Sequence, residues 1–378
     1  MDISAIKYND IKKPMQPNKI VVENLYNNTK YAGVVFDYIL NLLEKRFKEQ
    51  VGGNCKLKMG PLKAAQRVYE KIKDDDIKTS SNVLDFLRAT FSFDTIEDLL
   101  DFVNFTKSYS FTNEDFNADT LNKKVLSKIE SRTKTNLIQA DKNIGIVNIY
   151  EKYETALNAC EGTDKELREK IKERRSKEVE EFSKSFNFSE EEINSEAMAT
   201  FTSFRNFLKN NENLPIANVG VSNSFSLGID NEIKTKYPFL KDKLKERNSN
   251  YMDLKFYVCI PIPFSENKDY MICEVITTLN CFDKIYNKTH VLLELERSEF
   301  TPHKQDDVTE ADFKEGIKLI KRAMYLDDVI EKYNNEHPNS IQIVPYKNDR
   351  EYINETLNKL GDKLSFSMRI CGCEKFMR

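Results

Sequence analysis

Three basic side chains, Lys63, Arg67 and Lys71, recur at every fourth position in the segment GPLKAAQRVYEKIKD, residues 60–74. On a helix that spacing stacks them on one face, where like charges repel. Glu70, the one acid inside the row, falls off that face. A row of cations suits a ligand with several anionic oxygens in line, such as a triphosphate or pyrophosphate. The alternative is an ordinary exposed helix face.

Two acids invite a complementary role. Asp85 stands at the mouth of the apolar run VLDFLRATFSF, with Arg88 just beyond it. A carboxylate there can hold a divalent ion that bridges phosphates. Glu274 sits in the middle of YMICEVITTL. Burying a lone carboxylate is costly, so a mid-strand Glu needs a cation, an arginine or a water-filled cleft, unless its strand is a sheet edge facing solvent. If the two strands are neighbours, Asp85 and Glu274 can grip one Mg2+ while Lys63, Arg67 and Lys71 hold the oxygens of a transferring group. Tyr251, ahead of LKFYVCIPI, can stack on a base or simply pack. His290, in THVLLELER, is a site histidine or a helix-surface one.

Positioning these residues requires both helices and strands. Residues 26–50 carry apolar side chains at Val35, Ile39, Leu42, Leu43 and Phe47, a helical spacing that Gly52-Gly53 ends. Gly60-Pro61 opens a second helix over 60–74. VLDFLRATFSF predicts a strand, and TIEDLLDFVNF predicts a helix with Thr95 and Asp98 in capping-box positions. From about 108 to 213 the chain turns polar and helical. Its run DKELREKIKERRSKEVEEFSKSF mixes signs and predicts a solvated helix laced with ion pairs.

Three strand candidates follow, IANVGVSNSFSL, LKFYVCIPI and YMICEVITTL. Two helices come after them, CFDKIYNKTHVLLELER and EADFKEGIKLIKRAMYLDDVIEKYNNE. IQIVPY and LSFSMRI are possible edge strands. The order predicts one core of sheet and helices with helical additions, not tandem domains.

Composition bounds the function classes. The 378 residues include 24 Phe and 17 Tyr, too many aromatics for a disordered polyelectrolyte. Lys and Arg number 58 against 61 Asp and Glu, a net charge of -3 that gives no global field for nucleic acid and weakens an RNA-binding reading. Seven cysteines without a secretory signal predict a reduced cytoplasmic protein, and Cys371-Gly-Cys373 is expected to be inert. No run of about 18 apolar residues predicts a membrane span.

In order, GPLKAAQRVYEKIK, VLDFLRATFSFDTIEDLLDF, NYMDLKFYVCIPI, MICEVITTL and HVLLELER resemble the synthetase region of RelA/SpoT-domain proteins, the alarmone synthetases. DFLRAT is similar to the divergent branch of that family. The resemblance implies an α+β fold, a nucleotidyltransferase-like mixed sheet of four or more strands flanked by helices, with a long all-helical insertion. It divides the chain into an N-terminal helical segment (1–57), a core (58–107 and 214–300), the insertion (108–213) and a C-terminal extension and tail (301–378). In that family a basic helix binds the ATP phosphates, an Asp and a Glu bind Mg2+, and a Tyr stacks on the acceptor base.

Those roles are implied for Lys63, Lys71, Asp85, Glu274 and Tyr251, and more loosely for Arg67, Arg88, His290 and Arg297. Departures include Pro61 where an Arg is usual, Asn250 in place of a glycine, Lys255 in place of a histidine, and Ile-Thr-Thr after Glu274. The expectation is a Mg2+-dependent transferase moving pyrophosphate, or a nucleotidyl group, from ATP to a nucleotide or RNA end. The alternative is an inactive RelA/SpoT-like scaffold whose helical additions, above all 108–213, bind a protein partner.

Overall fold

The computed structural model describes residue 16 and residues 21–74, 80–109, 111, 115, 120–160, 165–210, 217–228, 231–241, 250–262, 270–297, 309–346 and 350–356. Helix α1 (Val22–Gln50) is followed by β1 (Lys56–Met59), α2 (Ala65–Asp74), β2 (Arg88–Phe93) and α3 (Ile96–Ser108). Three long helices come next, α4 (Lys123–Ala159), α5 (Lys165–Ser185) and α6 (Glu190–Asn210). The chain then forms β3 (Ala217–Asn223), α7 (Asn231–Lys236), β4 (Leu254–Pro261), β5 (Tyr270–Leu279), α8 (Asn280–Arg297) and α9 (Glu310–Tyr325). A π-helical turn, Leu326–Glu331, leads into α10 (Lys332–Glu336). The fold is α+β.

The strands form one open mixed sheet of order β1-β2-β5-β4-β3, in which β2 and β5 run parallel and the other pairs antiparallel. β5 is central, and this overturns the solvent-facing edge considered for Glu274. Side chains alternate between faces along a strand. On β5, Cys273 and Val275 join the core that α1 fills, while Glu274 and Ile276 face the opposite way into a cleft.

α1 is buried nearly all round between Ala32 and Leu43 because the sheet covers one side and α4 the other. Residues of α4 and α6 (Ile129, Ala140, Val147, Phe204) and of the C-terminal region (Tyr325, Val329, Ile330, Tyr333) belong to the same apolar cluster as the strands. α5 differs: none of its residues is buried, and its Glu and Lys pair along the surface, as its mixed charges predict.

Several boundaries depart from expectation for identifiable reasons. β2 begins at Arg88 instead of Val83, so Asp85 precedes the strand in irregular backbone. The carbonyls of Phe86 and Leu87 there accept from the N–H groups of Lys63 and Glu274. α2 begins at Ala65, and Lys63 lies ahead of it. The short edge strand β1 was not foreseen. IQIVPY contributes a single bridge, Leu227 to Ile343, in place of a strand. LSFSMRI and Cys371-Gly-Cys373 lie outside the described residues. Among the described residues no helix is long and apolar enough to cross a membrane.

Candidate active site

On the face of the sheet away from α1 lies a cleft of about 560 Å3. Lys63, Arg67, Lys71, Asp85, Arg88, Tyr251, Glu274 and His290 all line it, although they span more than two hundred positions of the chain. Arg297, the last residue of α8, has its side chain outside the described residues.

Register explains part of this convergence. Arg88 of β2 is the parallel partner of Glu274 on β5, and Lys255 of β4 lies opposite Ile276, so all four side chains share one face. Gly60 makes room for Arg88, since a Cβ there would stand 2.6 Å from the arginine Cγ.

The acids are not bare. Asp85 is 9% exposed, and its Oδ2 accepts from Lys63 Nζ at 2.7 Å and Lys71 Nζ at 2.9 Å. Burial alone would raise the Asp85 pKa; the two ammonium groups more than reverse this and hold the carboxyl well below the usual carboxylate range. Lys63 is pulled the other way. Burial lowers its pKa, the neighbouring Lys71 and Arg88 add to the effect, and Asp85 only partly compensates. Oδ1 of Asp85 is buried and, among the described residues, makes no hydrogen bond.

Glu274, 8% exposed, accepts from Lys255 Nζ at 3.1 Å, and Lys255 also lies 3.9 Å from Asp253. The expected row of three cations is therefore modified. Lys63 reaches the site from a turn and not from the helix face. Glu70, expected off that face, forms an ion pair with Arg67.

The other half of the cleft is aromatic. Tyr251 packs against Tyr286 of α8 and Tyr325 of α9, with ring centroids 6.1 and 5.6 Å away. Thr289 and Tyr325 share a hydrogen bond of 2.7 Å that ties α8 to α9. Lys321, one turn before Tyr325 and 6% exposed, brings another cation. The lining thus carries Lys63, Arg67, Lys71, Arg88, Lys255 and Lys321 against Asp85, Asp253 and Glu274, an excess of three positive charges in a chain whose net charge is -3.

Sequence reasoning missed Asp253, Tyr286, Thr289, Lys321 and Tyr325. For Lys255 a signal existed, because it is the lone charge of LKFYVCIPI just as Glu274 is of MICEVITTL. Opposite lone charges in adjacent apolar strands are expected to pair. Asn250 has a physical account too. Its φ of 57° lies in the left-handed region, which asparagine tolerates better than other residues with a side chain.

For a divalent ion, the fit rests on the buried Oδ1 of Asp85, a hard oxygen without a partner among the described residues, and on Glu274 in the same cleft. Among the described residues no group of three His, Cys, Asp or Glu side chains is arranged to hold a metal. Two carboxylates still suffice for Mg2+, which normally completes its shell with phosphate oxygens and water. No family model, curated protein or solved structure matches the chain.

Proposed function

We propose that the cleft binds a nucleoside triphosphate with Mg2+ and transfers its terminal pyrophosphate, or else a nucleotidyl group, from ATP to a nucleotide or RNA end. The proposal includes a divergent RelA/SpoT-like ancestry, a nucleotidyltransferase-like core and a cytoplasmic location. The observation that carries it is the meeting of Asp85, Lys63 and Lys71 with Glu274 in a cationic cleft walled by tyrosines on its far side.

Lys63, Lys71 and Arg88 would neutralise and orient the phosphates, since fixed charges cost little reorganisation when charge moves in the transition state. Asp85 and Glu274 would hold Mg2+, which when bound neutralises charge on the phosphoryl oxygens. Arg67 lies at the cleft rim beside Glu70. Tyr251, Tyr286 and Tyr325 offer a wall on which the acceptor base can stack, with His290 and Lys321 within reach of its polar atoms. Incubation with γ-labelled ATP and candidate acceptors tests the assignment. The expected result is γ-label carried to the acceptor for pyrophosphate transfer, or released as labelled pyrophosphate for nucleotidyl transfer, and Asp85→Asn and Glu274→Gln abolish either; identical traces for all three proteins would refute it.

One observation favours a second reading, an inactive scaffold. Lys255, standing where the resembling family has a histidine, already pairs with Glu274. The two readings differ in a thermal-shift assay. The enzyme is stabilised by ATP with Mg2+ because ligands stabilise the state that binds them; the scaffold is not.

A further inference from the structure

α2 carries Arg67 and Lys71 into the cleft, yet its own sequence supplies no cap. The residues before it are Gly60, Pro61, Leu62, Lys63 and Ala64, none with a short polar side chain to accept its first N–H groups. The missing acceptor comes from 78 residues away: Oδ1 of Asn143, in the middle of α4, accepts from the Ala65 N–H at 3.0 Å. The Asn143 Nδ2 donates in turn to the Lys63 carbonyl at 3.4 Å, which also accepts from the Tyr26 hydroxyl at 2.7 Å. The Lys63 N–H is held by the Phe86 carbonyl. Both main-chain polar groups of Lys63 are therefore fixed, from α1, from α4 and from the irregular backbone ahead of β2.

Asn143 itself is 6% exposed, buried at the junction of α1, α2 and α4. Two turns further along α4, Tyr150 stacks on Tyr69 of α2 at 4.5 Å and 12°, and Arg175 of α5 lies 4.4 Å over the Tyr150 ring.

We propose that Asn143 is a positioning residue for the cleft, and that α4, braced by α5, acts through it as part of the site's frame. By holding the turn ahead of α2, Asn143 sets where Lys63 leaves the main chain, and so lets Lys63 and Lys71 converge on one oxygen of Asp85. This holds whichever anion fills the cleft.

The test reads Lys63 directly. Pulsed acetylation of the folded full-length protein with a water-soluble active ester, followed by peptide mass spectrometry, compares Lys63 with exposed Lys184 as internal control. Asn143→Leu removes both hydrogen bonds at similar volume and should raise Lys63 acetylation about fivefold, the equivalent of one net hydrogen bond, with Lys184 unchanged. Asn143→Asp keeps the acceptor for Ala65 but loses the donor to the Lys63 carbonyl, so it should raise Lys63 acetylation by less than Leu does. A purely structural asparagine would shift the urea midpoint of both variants and leave Lys63 unmoved, which overturns the proposal, as does an Asp variant that frees Lys63 as much as Leu.

Should the Leu variant not fold, amide exchange in the wild type decides. Ala65 N–H is expected to be protected although it opens a helix, and exchange as fast as an unbonded amide would overturn the proposal. Failure of ATP to stabilise the wild type would refute the transferase reading and leave these outcomes as they are.

Discussion

Replacing Asp85 with Asn separates a structural ion pair from a working one, because the two roles predict opposite signs for anion binding. Oδ2 lies 2.7 and 2.9 Å from two ammonium groups. At an effective dielectric of about 20, each contact is a gross attraction of about 6 kcal/mol, much of it offset by the desolvation of the three charges. Removing one partner of a buried pair typically costs about 3–5 kcal/mol. Lys71 keeps 29% of its side-chain exposure and is partly screened, whereas Lys63 keeps 12%. The expected loss of stability is therefore near the lower end, about 3 kcal/mol, read as a drop in urea unfolding free energy.

In the wild type an incoming polyphosphate must compete with Asp85 for these lysines. In the variant it need not. Inorganic tripolyphosphate without a divalent ion should bind Asp85→Asn about tenfold more tightly than wild type, a gain of about 1.4 kcal/mol and so less than half of the lost pairing. With Mg2+ present the order should reverse, since the variant lacks a carboxylate to hold the metal. Titration calorimetry with and without Mg2+ measures both arms. If tripolyphosphate binds the variant no better than the wild type, the lysines are not available to phosphates and their contact with Asp85 is purely structural.

Two further substitutions test features away from the phosphate side. Asp37 is buried on α1, 2.9 Å from Arg132 of α4, and burial pushes its carboxyl up to about 7 against the pull of that arginine. Between pH 4 and 7 the folded chain then keeps a proton that the unfolded chain has released. Stability from this group is present at low pH and lost as pH rises through 7, by about 4 kcal/mol in all. Unfolding free energies from urea melts at pH 4.5 and 7.5 should show about 3 kcal/mol of that fall in wild type and a smaller one in Asp37→Asn; equal falls would refute it. Asn250, with its positive φ and an Oδ1 that accepts from the Tyr346 N–H at 3.0 Å, should be more sensitive to Ala than to Gly. Ala adds the left-handed penalty of about 1 kcal/mol, so equal unfolding free energies for the two variants would show that the backbone there relaxes.

How far the sequence revealed this arrangement depends on the range of the physics involved. Helices and strands followed from periodicity, since the pattern that buries one face is local, and the central placement of YMICEVITTL agrees with the burial of residues on both of its faces. The charged half of the cleft was partly legible, Lys63 and Lys71 from their spacing, and Asp85 and Glu274 as acids in apolar runs, where an isolated charge is expensive. The aromatic half was not. Tyr286, Thr289, Lys321 and Tyr325 follow ordinary helical spacing, and only the packing of α8 on α9 turns them toward Tyr251. The start of α2 was misplaced because Gly-Pro looks like a local helix opening, while the acceptor that sets its first turn is Asn143 on another helix.

The balance between enzyme and scaffold turns on one atom. In a scaffold, the pairs of Asp85 with Lys63 and Lys71, and of Glu274 with Lys255, would be an end in themselves, and buried polar atoms should be satisfied by the protein. Asp85 does not meet that condition. Both lysines crowd onto Oδ2, while among the described residues the buried Oδ1 makes no hydrogen bond. Neighbouring Arg88 could have been placed to fill it, yet its side chain lines the cleft beside Glu274. Oδ1, without a partner among the described residues and beside cations already held in place, is therefore the position at which a bound ligand would distinguish the enzyme from a purely structural ion pair.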